Sequence, residues 1–182
     1  MTRTLVVLAH PDLDASRVNA ALATGIRDLP DVTVHDLYAA YADFRIDVPY
    51  EQRLLTEHDR VILQFPFYWY SVPPLLKKWL DEVFERGWAY GSGGDALHGK
   101  RLRLATTVGG GEKLYQPAGL NRFPVTDLLL PWDATANLTG MSYEPPFIVH
   151  GASSITDEEL AEQVRLYRRL LTAASLRPAA LV

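Results

Sequence analysis

The sequence predicts an α/β fold: one doubly wound, five-stranded parallel sheet in the order 2-1-3-4-5, with helices on both faces. Three observations predict it. Apolar runs of strand length alternate with helix-like segments as β-α-β-α-β-α-β-α-β-α, a pattern that calls for parallel strands joined by helical crossovers. The first run, Thr4 to Ala9 (TLVVLA), is apolar at nearly every position, as a strand covered on both faces must be. The chain has 182 residues, 48% of them hydrophobic, enough for one average domain with a core that needs no staples. A single domain over 1–176 is expected, with 177–182 as a disordered tail.

The elements follow in order. After Ala9 comes a turn-rich stretch from His10 to Ser16. Val18, Leu22, Ile26 and Leu29 then make one stripe of an amphipathic helix, stopped by Pro30-Asp31. Val32 to Asp36 (VTVHD) is the second strand, Ala39 to Pro49 is irregular, and Tyr50 to His58 is a short helix. Arg60 to Phe65 is the third strand. Pro73-Pro74 opens the next helix, since proline suits a first helical turn. Its apolar stripe is Leu75, Leu76, Trp79, Leu80, Val83 and Phe84. Leu102 to Val108 is the fourth strand. Arg122 to Thr139 is helical with Pro131 kinking or splitting it. Ser142 to Val149 is the fifth strand, and Pro145-Pro146 marks it as an edge. Thr156 and Glu159 form a capping box ahead of a last helix carrying Leu160, Val164, Tyr167 and Leu171.

Composition narrows the function classes. Without cysteine there is no disulfide scaffold, thiolate metal site or cysteine nucleophile. A net charge of −4 argues against a nucleic-acid partner. No apolar stretch approaches the roughly 20 residues of a membrane span, and no targeting segment is expected. A cytoplasmic protein is expected, either free or peripheral at the inner face of the membrane.

In such sheets ligands sit beyond the carboxyl ends of the strands, so the loops after strands one, three and four carry the search. The first contains His10, Ser16, Arg17, Val18 and Asn19. A helix starting here offers N–H groups and partial positive charge to a phosphate, with Ser16 and Asn19 as added donors, although Ser16 also suits a plain cap. The second is Phe65-Pro66-Phe67-Tyr68-Trp69-Tyr70, five aromatics in six residues, suited to covering a flat apolar ring. The third, Thr107-Val108-Gly109-Gly110-Gly111-Glu112, allows close backbone approach.

Two alternatives are weaker. His10, Asp12 and Asp14 resemble part of the zinc site of N-acetylglucosaminyl deacetylases, which would make the chain a zinc-dependent hydrolase; Leu13 replaces an acidic residue and no His-x-x-His occurs. Gly94-x-x-x-x-Gly99-Lys100 mimics a Walker A loop, but Arg101 follows and no strand precedes it.

The stretch Gln64-Phe65-Pro66-Phe67-Tyr68-Trp69-Tyr70-Ser71-Val72-Pro73-Pro74-Leu75-Leu76-Lys77 is the most specific feature. Together with Ala9-His10-Pro11, Ser16-x-x-Asn19, Gly87-Trp88-Ala89-Tyr90-Gly91, Thr106-Thr107-x-Gly109-Gly110 and Pro145-Pro146-Phe147, it resembles the flavodoxin-like NAD(P)H:quinone oxidoreductases. The similarity is greatest to the short bacterial members that serve as ancillary subunits of potassium efflux systems, and it spans Thr4 to Leu171.

That resemblance implies FMN, with FAD at the same loops in longer relatives. His10 and Ser16 to Asn19 would hold the phosphate and ribityl end; Pro66, Phe67 to Tyr70 and Thr107 to Gly110 would hold the ring. It implies ping-pong transfer of a hydride from NADH or NADPH to the flavin and on to a quinone-type acceptor, with Gly109 and Gly110 amides stabilising the reduced ring. Tyr115 would lie over the substrate, beside Glu112 and Asn121. Animal members have a histidine where Asn121 stands, so an imidazole relay is not expected there; direct hydride transfer with a water or the catalytic Tyr115 as proton donor is expected instead. A homodimer, with sites at its interface, and a membrane-transporter partner are also implied.

Overall fold

The computed structural model describes residues 2–172. The expectations for the tail lie outside them.

Strand β1 (Thr4–Leu8) is buried along its whole length. It pairs in parallel with β2 (Val32–Asp36) on one side and β3 (Arg60–Pro66) on the other. β3 pairs with β4 (Arg101–Thr107). The outer edge of β4 carries two short pieces, β5 (Ser142–Tyr143) and β6 (Phe147–Val149). The order is β2-β1-β3-β4-β5, with β6 also on β4, so the expected topology is present. The fifth strand is broken where expected, because Pro145-Pro146 supplies no N–H to the ladder. Register sets the functional edge: Leu8 lies opposite Gln64, and Pro66 opposite Thr107, so the chain leaves β1, β3 and β4 side by side.

Alternation along the strands feeds two cores. Leu5, Val7, Val61, Leu63 and Leu104 face one side. There they meet α2 (Leu37–Ala40), α3 (Val48–Glu57), α4 (Pro74–Val83), α5 (Val125–Leu128) and α6 (Leu130–Leu138). Val6, Ile62 and Ala105 face the other side, against α1 (Arg17–Thr24) and α7 (Asp157–Thr172).

Several boundaries differ from expectation, each for a local reason. α1 stops at Thr24, before Ile26 and Leu29. Gly25 follows, and a β-carbon on it would lie 2.4 Å from Val164 Cγ1, so α7 packs directly on the backbone there. Arg168 of α7 donates to the Gly25 carbonyl and pairs with Asp28, ending the helix. Ile26 is still fully buried, from a turn. α2 has no counterpart among the expected elements and runs two residues into the stretch expected to be irregular; Asp36 caps it by accepting from the N–H groups of Tyr38 (3.0 Å) and Ala39 (3.2 Å). The helix expected from Arg122 begins at Val125 instead, behind Pro124. It splits at Leu129, where Pro131 opens α6. The capping box is as expected, with Glu159 N–H donating to Thr156 Oγ1 and Thr156 N–H to Glu159 Oε2.

A buried carboxyl group ties β2, α3 and α4 together. Glu51 is fully buried, and its carboxylate accepts from Tyr41 OH (2.5 Å) and Trp79 Nε1 (2.8 Å), with His35 Nε2 at 2.7 Å. Three partners offset much of the cost of burying it.

Candidate active site

The three loops meet in a cleft of about 590 Å³, within the roughly 300–1,000 Å³ of small-molecule sites. One wall is the entry to α1. Ser16 caps that helix by accepting from Asn19 N–H at 3.3 Å. Arg17 lines the cleft as well, and its guanidinium donates to the Ile155 carbonyl and pairs with Asp157. Val18 and Asn19 are buried. Asn19 Nδ2 donates to Thr107 Oγ1 at 2.8 Å, and its Oδ1 is buried with no hydrogen-bond partner among the described residues.

His10 also lines the cleft. Its Nδ1 accepts from Asp12 N–H at 3.1 Å, which places the neutral ring's proton on Nε2. Burial pulls its pKa below the usual value, against smaller opposing effects of Asp12 and Asp36. The imidazole is therefore a neutral N–H donor at neutral pH. Among the described residues no group of three or more His, Cys, Asp or Glu is arranged to hold a metal.

The aromatic loop is a tight hairpin. Tyr68 and Ser71 exchange both backbone hydrogen bonds, at 3.2 and 2.9 Å, across a turn of Trp69 and Tyr70. Both turn residues have positive φ, 49° and 62°, as in the primed turns that match strand twist. Pro66, Phe67 and Tyr68 line the cleft. Trp69 does not; it projects from the tip, 92% exposed.

The glycine edge divides its labour. Val108 N–H is consumed by the Val149 carbonyl at 2.8 Å, whereas those of Gly109 and Gly110 donate to no protein group among the described residues. Gly109 lines the cleft, and a β-carbon there would stand 3.0 Å from Ser153 Oγ. Gly110 lies outside the lining; its β-carbon would stand 2.9 Å from Leu114 Cδ1, so this glycine admits the next segment.

That segment, from Glu112 to Phe123, covers the far side of Phe67. It opens with a 3-10 turn at Glu112–Leu114. Tyr115 packs edge-on against Phe67, centroids 6.3 Å apart, and Phe67 meets Tyr70 at the same distance. Tyr70 OH donates to Asn121 Oδ1 at 2.9 Å. Burial raises the Tyr115 pKa. His150 packs 5.9 Å from Tyr115; burial lowers its pKa, and Glu112 opposes this. Tyr70, Tyr115 and Asn121 thus meet around Phe67, with Glu112 beside His150, whereas Trp69, Val108 and Gly110 stand outside the cleft wall.

The loop after β6 was not among the expected site segments. Ala152 and Ser153 complete the cleft, held by Ala152 N–H to Val108 O and Gly151 N–H to Gly110 O, both 2.9 Å. The run His150-Gly151-Ala152-Ser153-Ser154 leaves the last strand at the same sheet edge and is the signal that marks it.

Comparison with known proteins agrees with this geometry. The chain is 47% identical to the uncharacterized NAD(P)H oxidoreductase YdeQ of Bacillus subtilis (strain 168) over 176 residues, 97% of this chain and 89% of that one. It is 46% identical to the glutathione-regulated potassium-efflux system ancillary protein KefG of Pectobacterium carotovorum subsp. carotovorum (strain PC1), covering 93% and 92%. Among solved structures, general stress protein 14 of Treponema denticola in complex with FMN superposes with a TM-score of 0.89, at 41% identity, over 93% and 97% of the two chains. An NADPH-quinone reductase from P. pentosaceus superposes at 0.88, with 33% identity and coverage of 95% and 99%. Residues 2–171 match the family described as flavodoxin-like fold, and the chain belongs to that family.

Proposed function

We propose that the chain is an FMN-dependent NAD(P)H oxidoreductase that delivers two electrons to quinones or similar acceptors. The observation that carries this is the single cleft joining a helix N-terminus, an aromatic wall and a glycine edge with unused N–H groups. Its donor set fits a flavin mononucleotide. The buried, unpartnered Oδ1 of Asn19 is an acceptor, matched to a ribityl hydroxyl. Gly109 keeps the wall open where a side chain would meet Ser153. The relatives named NAD(P)H oxidoreductases and the FMN complex of a 41% identical neighbour support the same assignment.

In this assignment Ser16 and the first turn of α1 hold the phosphate, since the leading N–H groups of a helix lack internal partners. Arg17, already paired with Asp157, contributes positive potential without direct contact. His10 donates from Nε2. Phe67 and Tyr68 cover the ring, and the Gly109 N–H stabilises negative charge at its edge. FMN held there would supply two-electron chemistry between a nicotinamide and the acceptor. Glu112, Tyr115 and Asn121 border the acceptor side.

The purified protein is expected to be yellow, or to become so with FMN, and to release a fluorescent flavin on denaturation. NADH or NADPH oxidation with a small quinone is expected to give parallel-line kinetics. Protein that stays colourless with excess FMN and FAD overturns the proposal.

A homodimer fits the apolar side chains exposed on the β4–β5 connection: Leu120, Phe123, Leu130 and Leu138. Sedimentation at micromolar concentration tests it, and a monomer rules it out. The relatives named as potassium-efflux ancillary proteins favour a second, compatible role as a regulatory subunit docked on a transporter at the cytoplasmic face. Among the described residues no helix is long and apolar enough to cross a membrane.

A further inference from the structure

Beside the cleft lies a second cavity, of about 330 Å³. One wall is the loop after β1, from His10 to Asp14, and the other is the end of β2 with the start of α2. The parallel pairing of β1 and β2, with Leu8 opposite Asp36, brings these two segments together. His10 and Asp12 line both cavities and form the ridge that they share. Apart from that ridge, the flavin assignment above uses none of this space.

The cavity has an aromatic wall and open acceptors. Tyr38 is fixed edge-on by Phe44, centroids 6.0 Å apart, and its hydroxyl accepts from Leu75 N–H at 3.4 Å. Asp36 uses Oδ1 on the N–H groups of Tyr38 and Ala39, and Asp12 uses Oδ1 on Ala15 N–H at 3.1 Å. The Oδ2 of each bonds to no protein atom among the described residues, and neither does either oxygen of Asp14. No lysine or arginine lines the cavity, and His10 on the ridge is neutral. Arg17, in the neighbouring cleft, is paired with Asp157.

Ionised carboxylates only accept hydrogen bonds, so a ligand must bring the donors. Carboxylates with no cation among them suit a neutral diol and oppose a phosphate, which carries charge of their own sign. A dinucleotide that reaches the cleft with its nicotinamide has an adenosine half still to place, and this cavity adjoins. The adenosine ribose of NADH carries a vicinal diol. In NADPH a phosphate replaces one of those two hydroxyls.

We propose that this second cavity binds the adenosine half of the dinucleotide donor, with Tyr38 against the base and Asp14 and Asp36 accepting from the ribose hydroxyls, and that these carboxylates select NADH over NADPH. This rests on the NAD(P)H oxidoreductase assignment above and narrows it to one nucleotide.

The test pairs binding with kinetics. ADP-ribose and its 2′-phosphate are titrated by calorimetry into the FMN-loaded protein, and kcat/KM is measured for NADH and NADPH with one small quinone. ADP-ribose is expected to bind roughly tenfold or more tightly than its 2′-phosphate, and NADH to be preferred by a similar factor. Asp14→Asn combined with Asp36→Asn removes both charges and keeps an asparagine cap on α2. Both ratios are expected to fall roughly tenfold in that variant. Asp14 is exposed and unpartnered, so Asp14→Asn alone is expected to shift them in the same direction without disturbing the fold. Asp14→Arg is expected to favour the 2′-phosphate. Equal binding of the two ligands by the wild type, or ratios unchanged in these variants, overturns the proposal. FAD bound more tightly than FMN and displaced by ADP-ribose gives the cavity to the cofactor's own adenosine, and overturns it too. If the protein loads FMN but oxidises neither nucleotide, the oxidoreductase assignment fails instead, and the ADP-ribose titrations alone decide what the cavity binds.

Discussion

Asn19 and Thr107 lie 88 residues apart, yet the side-chain amide of one donates to the hydroxyl of the other at 2.8 Å. This bond ties the first turn of α1 to the end of β4. It joins the proposed phosphate end of the cleft to its glycine edge. Gln64, on the strand between them, adds a bond from Nε2 to the Asn19 carbonyl at 3.0 Å. The cleft floor is therefore a polar bridge inside an apolar sheet, and its integrity governs both stability and cofactor affinity.

Thr107→Val is isosteric and removes only the acceptor, leaving the buried Asn19 amide unpaired. Such a loss costs about 1–3 kcal/mol. Urea denaturation of the flavin-free protein is expected to show it, with Thr107→Ser near wild type. FMN affinity should fall in parallel. A Thr107→Val protein as stable as wild type would show the bridge to be dispensable.

The two glycines are expected to separate. Gly109→Ala places a methyl group against Ser153 Oγ in the cleft and should weaken FMN binding with little loss of stability. Gly110→Ala meets Leu114 instead and should displace the covering segment, changing acceptor KM more than FMN affinity. Fluorescence titration with FMN and acceptor kinetics on the two variants distinguish these outcomes. Equal effects on flavin affinity would contradict the division.

Glu51 tests whether the scaffold is separable from the site. Glu51→Gln keeps the volume but turns an amide N–H toward at least one of Trp79, Tyr41 and His35, which all pack on a fully buried group. One unsatisfied buried polar contact costs about 1–3 kcal/mol. Denaturation should show that loss, while FMN uptake per folded molecule stays near one.

The sheet order was legible because alternating apolar and amphipathic segments leave few topologies. The three inspected loops do meet in one cleft, since parallel strands in register deliver their carboxyl ends to one edge. What escaped was set by contacts between distant segments. Ser153 reaches the cleft because β6 and its loop zip to Val108 and Gly110 through backbone hydrogen bonds, which side-chain patterns do not encode. Arg17 looks like a phosphate ligand in the sequence, yet a partner 140 residues away claims it. Four-residue α2 is too short to display periodicity, and its cap, Asp36, reads in the sequence only as the end of the second strand.

Histidine titrations give a pH signature. His10 and His150 both have pKa values lowered from 6.5, chiefly by burial. The unfolded chain then binds more protons than the folded one between the lowered values and about 6.5, so stability rises with pH across that window. It is fully present above about 6.5 and is lost as pH falls through the folded values. NMR titration of the flavin-free protein should place both midpoints below 6.5. A midpoint above that value for His10 would remove its assignment as a neutral donor.

The hairpin tip gives the last test. Trp69 stands at φ 49° and is 92% exposed, so it takes on left-handed strain without gaining burial. Asparagine tolerates that conformation far better, and the strain amounts to roughly 1–2 kcal/mol per residue. Trp69→Asn should therefore stabilise the flavin-free protein, by up to about 1 kcal/mol, and leave the Tyr70–Asn121 bond in place. A substitution that stabilises is informative only if something is lost with the ring. An aromatic held out at the mouth of the cleft is suited to contact a flat acceptor or a second subunit. Trp69→Asn should accordingly raise the KM for quinone or weaken self-association, while FMN affinity holds. Gains in stability with both of those unchanged would mean that the exposed ring contributes to neither contact.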